Sequence, residues 1–230
     1  MVKDTIKPAV TPSVHPSRLS RPSHLSSPSH LSSLSHLSLK EKILKHLIEN
    51  KHPASIMQIS GGLNADYKNT FNVIKNLSPD VVSKDKLGNT TLIEIKLSPN
   101  QEIFSVEHQR TRMFLDENRR LELMKKDAEL VGYPFMILLV FGSYVKGTKT
   151  EKSDIDVCII SDNKIKTEEL ISRLRLLPLN LEIQDFTTKE FESMLEVKRG
   201  NIAKEIVKNN VILYGIENYY SLISKWMKKD

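Results

Sequence analysis

Asp154 and Asp156 stand one residue apart in the segment SDIDVCIIS (153–161). In an extended strand, residues two apart share a face. Two carboxylates that repel each other therefore look out on one side, while Ile155, Val157 and Ile159 look out on the other. The apolar set has to face a core, which puts the aspartates over an open side. Their Cα atoms are expected about 6.5–7 Å apart, from where flexible carboxylates can converge on cations about 3.5–4 Å apart. Magnesium suits such hard oxygen donors and keeps waters and phosphate oxygens in its shell. A bound cation would remove the repulsion. A lone Asp-x-Asp also occurs as a plain solvated strand end, so the neighbours decide.

A neighbouring strand should carry a third carboxylate. In LNLEIQDF (179–186), Leu179, Leu181 and Ile183 make the apolar face and leave Asn180, Glu182 and Gln184 on the open one. Glu182 has the parity of the aspartate pair. Asp185 falls on the apolar parity and is the second choice. Upstream, the apolar run YPFMILLVF (133–141) ends at Gly142-Ser143. Glycine permits close backbone approach, and Ser143 can open a helix whose N–H groups hold phosphate. Lys146 is placed to add positive charge over a triphosphate.

The elements that must position these residues read as alternating strands and helices, which indicates α/β. Strands are expected over 133–141, 153–161, 179–186 and 211–215. Helices are expected over about 166–176, after Thr187, around Ile202–Lys208, and after the last strand to Lys228. Residues 131–230 thus form one domain, and the charged stretch 99–130 reads as one or two connecting helices. Before it, LKEKILKHLIEN spaces Leu39, Ile43, Leu44 and Leu47 for a helix, and Ser55 can cap a short second helix. A third, from about Ala65 to Leu77, should turn Phe71, Val73, Ile74 and Leu77 inward. Two strand-like runs flank Leu87-Gly88-Asn89. Three short helices and a hairpin over 39–98 make a winged helix-turn-helix. Tyr67, Lys68, Asn69, Asn72 and Lys75 lie on the polar side of its third helix, where Asn can read adenine and Lys can meet phosphate. Lys84 and Lys86 belong to the wing.

Residues 1–38 are low in complexity. A Ser-Pro hexapeptide runs four times from Pro16 and spaces His24, His30 and His36 six apart. Such a segment cannot bury enough apolar surface to offset its ordering entropy, so a disordered tail is expected. The chain carries a net charge of +6 over 230 residues. Residues 39–98 hold nine Lys and Arg against six Asp and Glu, whereas 99–230 balance at 21 each. The basic excess lies in the N-terminal part and hints at a polyanion partner there. Cys158, the single cysteine, excludes an internal disulfide and suits a reducing, cytoplasmic setting. No apolar run approaches the roughly 20 residues of a spanning helix, and no signal peptide is expected, so no membrane partner is.

Gly142-Ser143, ten residues, then Asp154-x-Asp156 resembles the signature of the minimal nucleotidyltransferases, in the polymerase-beta-like nucleotidyltransferase superfamily. The surrounding FGSYVKGTKTEKSDIDVCII, with Lys146-Gly147 and Ser153, and the late NNVILYGIENYYSLI are similar to that family too, over roughly 131–230. A winged helix upstream is similar to two-domain members. The resemblance implies an α/β (α+β) domain with a small mixed sheet and flanking helices. It implies Asp154, Asp156 and Glu182 as catalytic carboxylates binding two Mg2+ ions, and Gly142, Ser143, Lys146 and Ser153 around the phosphates of ATP or another NTP. It departs in one respect: the third carboxylate is Glu, in a short motif.

Transfer of an NMP, AMP from ATP in the resemblance, to a hydroxyl is then the expected activity. The acceptor implied is a tyrosine or other hydroxyl on a HEPN-type toxin partner, which would make the chain an antitoxin whose winged helix binds duplex DNA. The alternative is a winged-helix regulator whose nucleotidyltransferase domain is a non-catalytic sensor.

Overall fold

The computed structural model describes residues 37–150 and 153–227; the expected disordered tail lies outside the described residues as far as His36, with His24 and His30, and its last residue, Ser38, is an ordered helix cap. Ser38 opens helix α1 (Leu39–Asn50) through a reciprocal capping box with Glu41, and Ile43, Leu44, Leu47 and Ile48 form its buried stripe. A two-residue strand β1 (Ala54–Ser55) leads into α2 (Ile56–Gly62), again started by a capping box, Ser55 with Gln58. Asp66 caps α3 (Tyr67–Lys75). Strands β2 (Val82–Leu87) and β3 (Thr90–Ile95) make a hairpin over the two-residue turn Gly88-Asn89. The first residue of that turn needs positive φ, and Gly88 sits at φ 60. The three strands form an antiparallel sheet in the order β1-β3-β2.

Two side chains here depart from expectation. Ile74 and Leu77 are buried, but Phe71 is 42 % exposed and stacks on Tyr67, with ring centroids 6.5 Å apart. Thr70 is the buried residue of that turn, four before Ile74 and seven before Leu77 on one helical stripe. Lys84 is not a free wing lysine. Its Nζ donates to Lys75 O and Leu77 O at 3.0 Å each, so it pins the hairpin to the open carbonyl end of α3.

Helix α4 (Gln101–Glu117), a 3-10 turn (Arg119–Leu121) and α5 (Glu122–Val131) follow. The second sheet has the order β6-β5-β4-β7, built from β4 (Ile137–Phe141), β5 (Ile155–Ile160), β6 (Leu181–Phe186) and β7 (Asn210–Tyr214). Only the β5–β6 pair is parallel, so the sheet is mixed. Strand β4 starts four residues later than the apolar run suggests, because Tyr133–Met136 form a turn closed by Met136 N–H to Tyr133 O. Between strands lie α6 (Ser143–Lys146), α7 (Lys164–Leu174), α8 (Thr188–Glu196) and α9 (Ile202–Lys208), with α10 (Ile216–Met227) last. Among the described residues no helix is long and apolar enough to cross a membrane.

Both faces of this sheet are covered. Leu138, Val140, Ile155, Val157 and Ile159 pack with Met124 and Ala128 of α5 and Leu170 and Leu174 of α7. Ile137, Leu139, Phe141, Cys158 and Ile160 pack with Phe191, Ile206 and Tyr220, and this second core runs on without a break to α1 through Ile103 and Val106 of α4. The expectation of an open face along β5 is therefore corrected. Cys158 and Ile160, which share the parity of Asp156, are 0 % and 1 % exposed. Helices α8 to α10 close the face over them, leaving it open only at the end of the strand where the aspartates stand.

Candidate active site

That end of the sheet gathers the C-terminus of β4 and the N-termini of β5 and β6. Phe141 pairs with Asp156, and Asp156 pairs in turn with Glu182 on the parallel strand. Residues directly opposite on neighbouring strands share a face with side chains about 5 Å apart. Glu182 is thus the carboxylate set beside Asp156. Asp185 pairs with Ile159, three positions farther along and on the other parity.

Gly142 closes β4 at φ 69, ψ −143 and starts α6. A Cβ there would lie 1.9 Å from Oδ2 of Asp156. The carboxylate of Asp156 therefore rests on the bare backbone of the turn, where it accepts a hydrogen bond from Ser143 N–H. Burial and the charge of Glu182 push the Asp156 carboxyl above its ordinary value; the Ser143 N–H opposes this, and the charge of Asp154 adds to it. Asp154 is exposed and accepts from the Asn180 side-chain amide. Glu182 accepts from Gln184 Nε2 at 3.3 Å. Three acidic side chains thus crowd one strand end. Among the described residues, however, no group of three or more His, Cys, Asp or Glu side chains is gathered closely enough to hold a metal ion.

An Asp-x-Asp strand beside a Gly-Ser helix start, on a mixed four-stranded sheet, is a combination that can be compared with known families. The family model described as polymerase beta, nucleotidyltransferase matches residues 132–219. This stretch is a nucleotidyltransferase domain related to that superfamily. No curated protein and no solved structure matches the chain.

Within the nucleotidyltransferase domain the other expected site residues have partners of their own. Lys146, at the last turn of α6, pairs with Glu205 of α9 at 2.5 Å, which holds the Glu205 carboxyl below its ordinary value. Ser153 braces the loop before β5: its Oγ accepts from Thr150 N–H at 2.8 Å. In the N-terminal part Tyr67, Lys68, Asn69, Asn72 and Lys75 are all exposed along α3. Two partners went unassigned in the sequence. Asn180 has the parity of Glu182 and was legible as a neighbour of the aspartates. Glu205 carries no local signal, since it meets Lys146 only through the fold.

Proposed function

We propose that the nucleotidyltransferase domain is catalytic and moves an NMP from ATP or another NTP to a hydroxyl, releasing pyrophosphate. The observation that carries this is the seating of Asp156 on the Gly142-Ser143 turn, with Glu182 opposite and Asp154 two residues before it. Hard carboxylate oxygens are the donors magnesium takes; Asp154, Asp156 and Glu182, which are not gathered into a metal-holding group as they stand, would have to draw together to hold it. Once bound, two such ions supply activation of the acceptor oxygen and charge neutralisation at the leaving phosphate. The chain's own contribution is placement. The Gly142-Ser143 backbone lets phosphate approach closely, Ser143 and Ser153 offer hydroxyl donors, and Lys146 adds positive charge one turn along α6. The acceptor oxygen attacks the α-phosphorus, the bond to the pyrophosphate oxygen breaks, and the acceptor proton passes to solvent or to a carboxylate.

The compact domain supports a macromolecular acceptor that brings its own surface, in this reading a tyrosine of a HEPN-type toxin. Incubation with labelled ATP, magnesium and a co-encoded neighbour, followed by mass spectrometry, tests both parts. An added AMP mass on the neighbour, absent with chelator, is the expected result. Label only on small molecules would leave a transferase but remove the toxin. No label anywhere would favour the sensor reading.

We further propose that α2, α3 and the β2–β3 hairpin act as a winged helix on duplex DNA. The exposure of Lys68, Asn69, Asn72 and Lys75 on one helix supports it. Affinity of the full chain should fall steeply with salt, by roughly tenfold or more between 50 and 200 mM. Lys68→Ala and Lys75→Ala should each weaken binding across all sequences and flatten that slope, while Asn72→Ala relaxes base preference. Duplex binding that ignores both lysine changes would place the DNA elsewhere.

A further inference from the structure

Between α1 and α4 on one side and α6, α9 and the start of β7 on the other lies a cleft of about 370 Å³. Its walls carry Lys45, Lys51, Arg110, Lys146, Lys149 and Lys208 with Glu49 and Glu117; Glu107 on Arg110 and Glu205 on Lys146 bring the carboxylates that meet these six cations to four. None of Gly142, Ser143, Asp154, Asp156 or Glu182 lines it. Lys146 lines it as well, so the cleft adjoins the proposed phosphate site through α6 while holding none of its carboxylates.

Several of these cations are held in place. Arg110 forms the floor: it is 5 % exposed and bonded to Glu107, to Asn210 O and, at 3.5 Å, to Glu49. Lys51 donates to Val207 O at 2.5 Å from a left-handed C-cap at φ 50. Lys149 lies 4.6 Å over the Tyr144 ring and bonds Asn118. Glu49 is shared between Lys45 and Arg110. The folded chain therefore sets six cations against four carboxylates around a concave site, and low-dielectric walls focus the remaining positive field. The strain registers in Lys51, whose ammonium burial and the nearby Arg110 push down to about 7. An anion in the cleft would relieve it.

We propose that this cleft binds a small molecule bearing a di- or polyphosphate group, and that occupancy clamps the N-terminal part to the nucleotidyltransferase domain. The volume falls within the roughly 300–1,000 Å³ of small-ligand sites. Two or more linked phosphates match a ring of lysines better than a single carboxylate does. The clamp follows from the walls, since Lys45 and Lys51 come from the α1 side and Lys146, Lys149 and Lys208 from the transferase side. This goes beyond the proposed transfer reaction and needs neither its carboxylates nor magnesium.

The test is calorimetry on the full chain in EDTA, with sodium pyrophosphate, ADP and a ten-nucleotide single strand as separate titrants. One site per chain is expected for pyrophosphate or ADP. Tighter binding of ADP identifies a nucleotide as the source, and equal affinity an inorganic or other polyphosphate. Lys45→Gln with Lys208→Gln, the first at a half-buried and the second at an exposed position, should weaken it at least tenfold. Asp156→Asn with Glu182→Gln should leave it within twofold while abolishing magnesium-dependent transfer. Failure of transfer with intact EDTA-resistant binding would sink the catalytic reading alone. The cleft proposal is overturned if neither small titrant binds, if the lysine pair has no effect, if the carboxylate pair removes binding, or if only the oligonucleotide binds.

Discussion

Gly142→Ala should cost the protein both stability and transfer. The added Cβ would meet Asp156 Oδ2 at 1.9 Å and Cγ at 2.7 Å, so the carboxylate or the turn has to move. The backbone at φ 69, ψ −143 belongs to a region that side chains other than glycine avoid, adding roughly 1–3 kcal/mol of strain. Denaturant unfolding should therefore show a loss on the order of 2–4 kcal/mol once the clash is included. Transfer should fall at least about a hundredfold, since displacing a reactive group by about 1 Å has that effect. Wild-type stability and rate in this variant would show that the turn does not seat Asp156.

Asp156→Asn separates the two effects. Transfer should drop about a thousandfold, the size expected for losing several kcal/mol of transition-state stabilisation. Stability should move the other way. Burial and the Glu182 charge raise the Asp156 carboxyl in the folded protein, so the folded chain ionises it less readily than the unfolded chain does. The penalty is complete at pH values above that raised position. It fades as pH falls, and is gone below the unfolded value of about 3.9. Asparagine removes it while its Oδ1 still accepts from Ser143 N–H. The variant should melt higher than wild type at pH 7 and level with it near pH 3. A gain that persists unchanged at pH 3 would assign the effect to something other than ionisation.

What could be read from the sequence at this site is what local periodicity controls. The alternation in SDIDVCIIS and LNLEIQDF fixes which residues share a face, and the parallel register of β5 and β6 then sets Glu182 against Asp156 as that parity requires. The Gly-Ser pair after an apolar run was legible for the same reason. Less legible was anything decided by distant chain. The covering of Cys158 and Ile160 by α8 to α10 depends on helices about 30 to 60 residues away, and no strand pattern reports it. Phe71 shows the limit within a single helix. Apolar spacing alone placed it inward, but Thr70 shares the stripe of Ile74 and Leu77 at a spacing of four and seven, and Phe71 is left to stack on Tyr67. Lys84 looked like a wing contact because charge at a hairpin reads as exposed; its use as a cap on α3 required the hairpin to fold back.

Arg110→Met should be among the most destabilising single changes in the chain, and sequence reading gave no sign of it. Arg110 and Glu107 lie three apart on α4 among many charged residues, yet both are buried, and they pair at 2.5 Å. Around them, Tyr220 O–H donates to Glu107 at 2.6 Å, Arg110 donates to Asn210 O at 2.7 Å, and Thr111 donates to Ile212 O at 2.6 Å. Burial disfavours the guanidinium charge, but Glu107, Glu49 and Tyr220 hold it protonated. Removing the arginine strands Glu107 in the core, which costs about 3–5 kcal/mol, or roughly 10 °C in Tm for a chain of this size. Tyr220→Phe takes away only one hydrogen bond and should lose about 1–2 kcal/mol. The double change Arg110→Met with Glu107→Leu removes the stranded charge and should recover most of the loss, as paired buried ions replaced by apolar groups usually do. The network also reaches the candidate active site by a short path, because Asn210 pairs with Phe141, the residue before Gly142. Transfer by the double variant should therefore remain reduced after its Tm has recovered, since Asn210 O has lost the donor that fixes the end of β7. Full recovery of both would make the pair a stability element with no role in holding the Gly142 turn. An Arg110→Met variant as stable as wild type would show that Glu107 finds another partner or a proton.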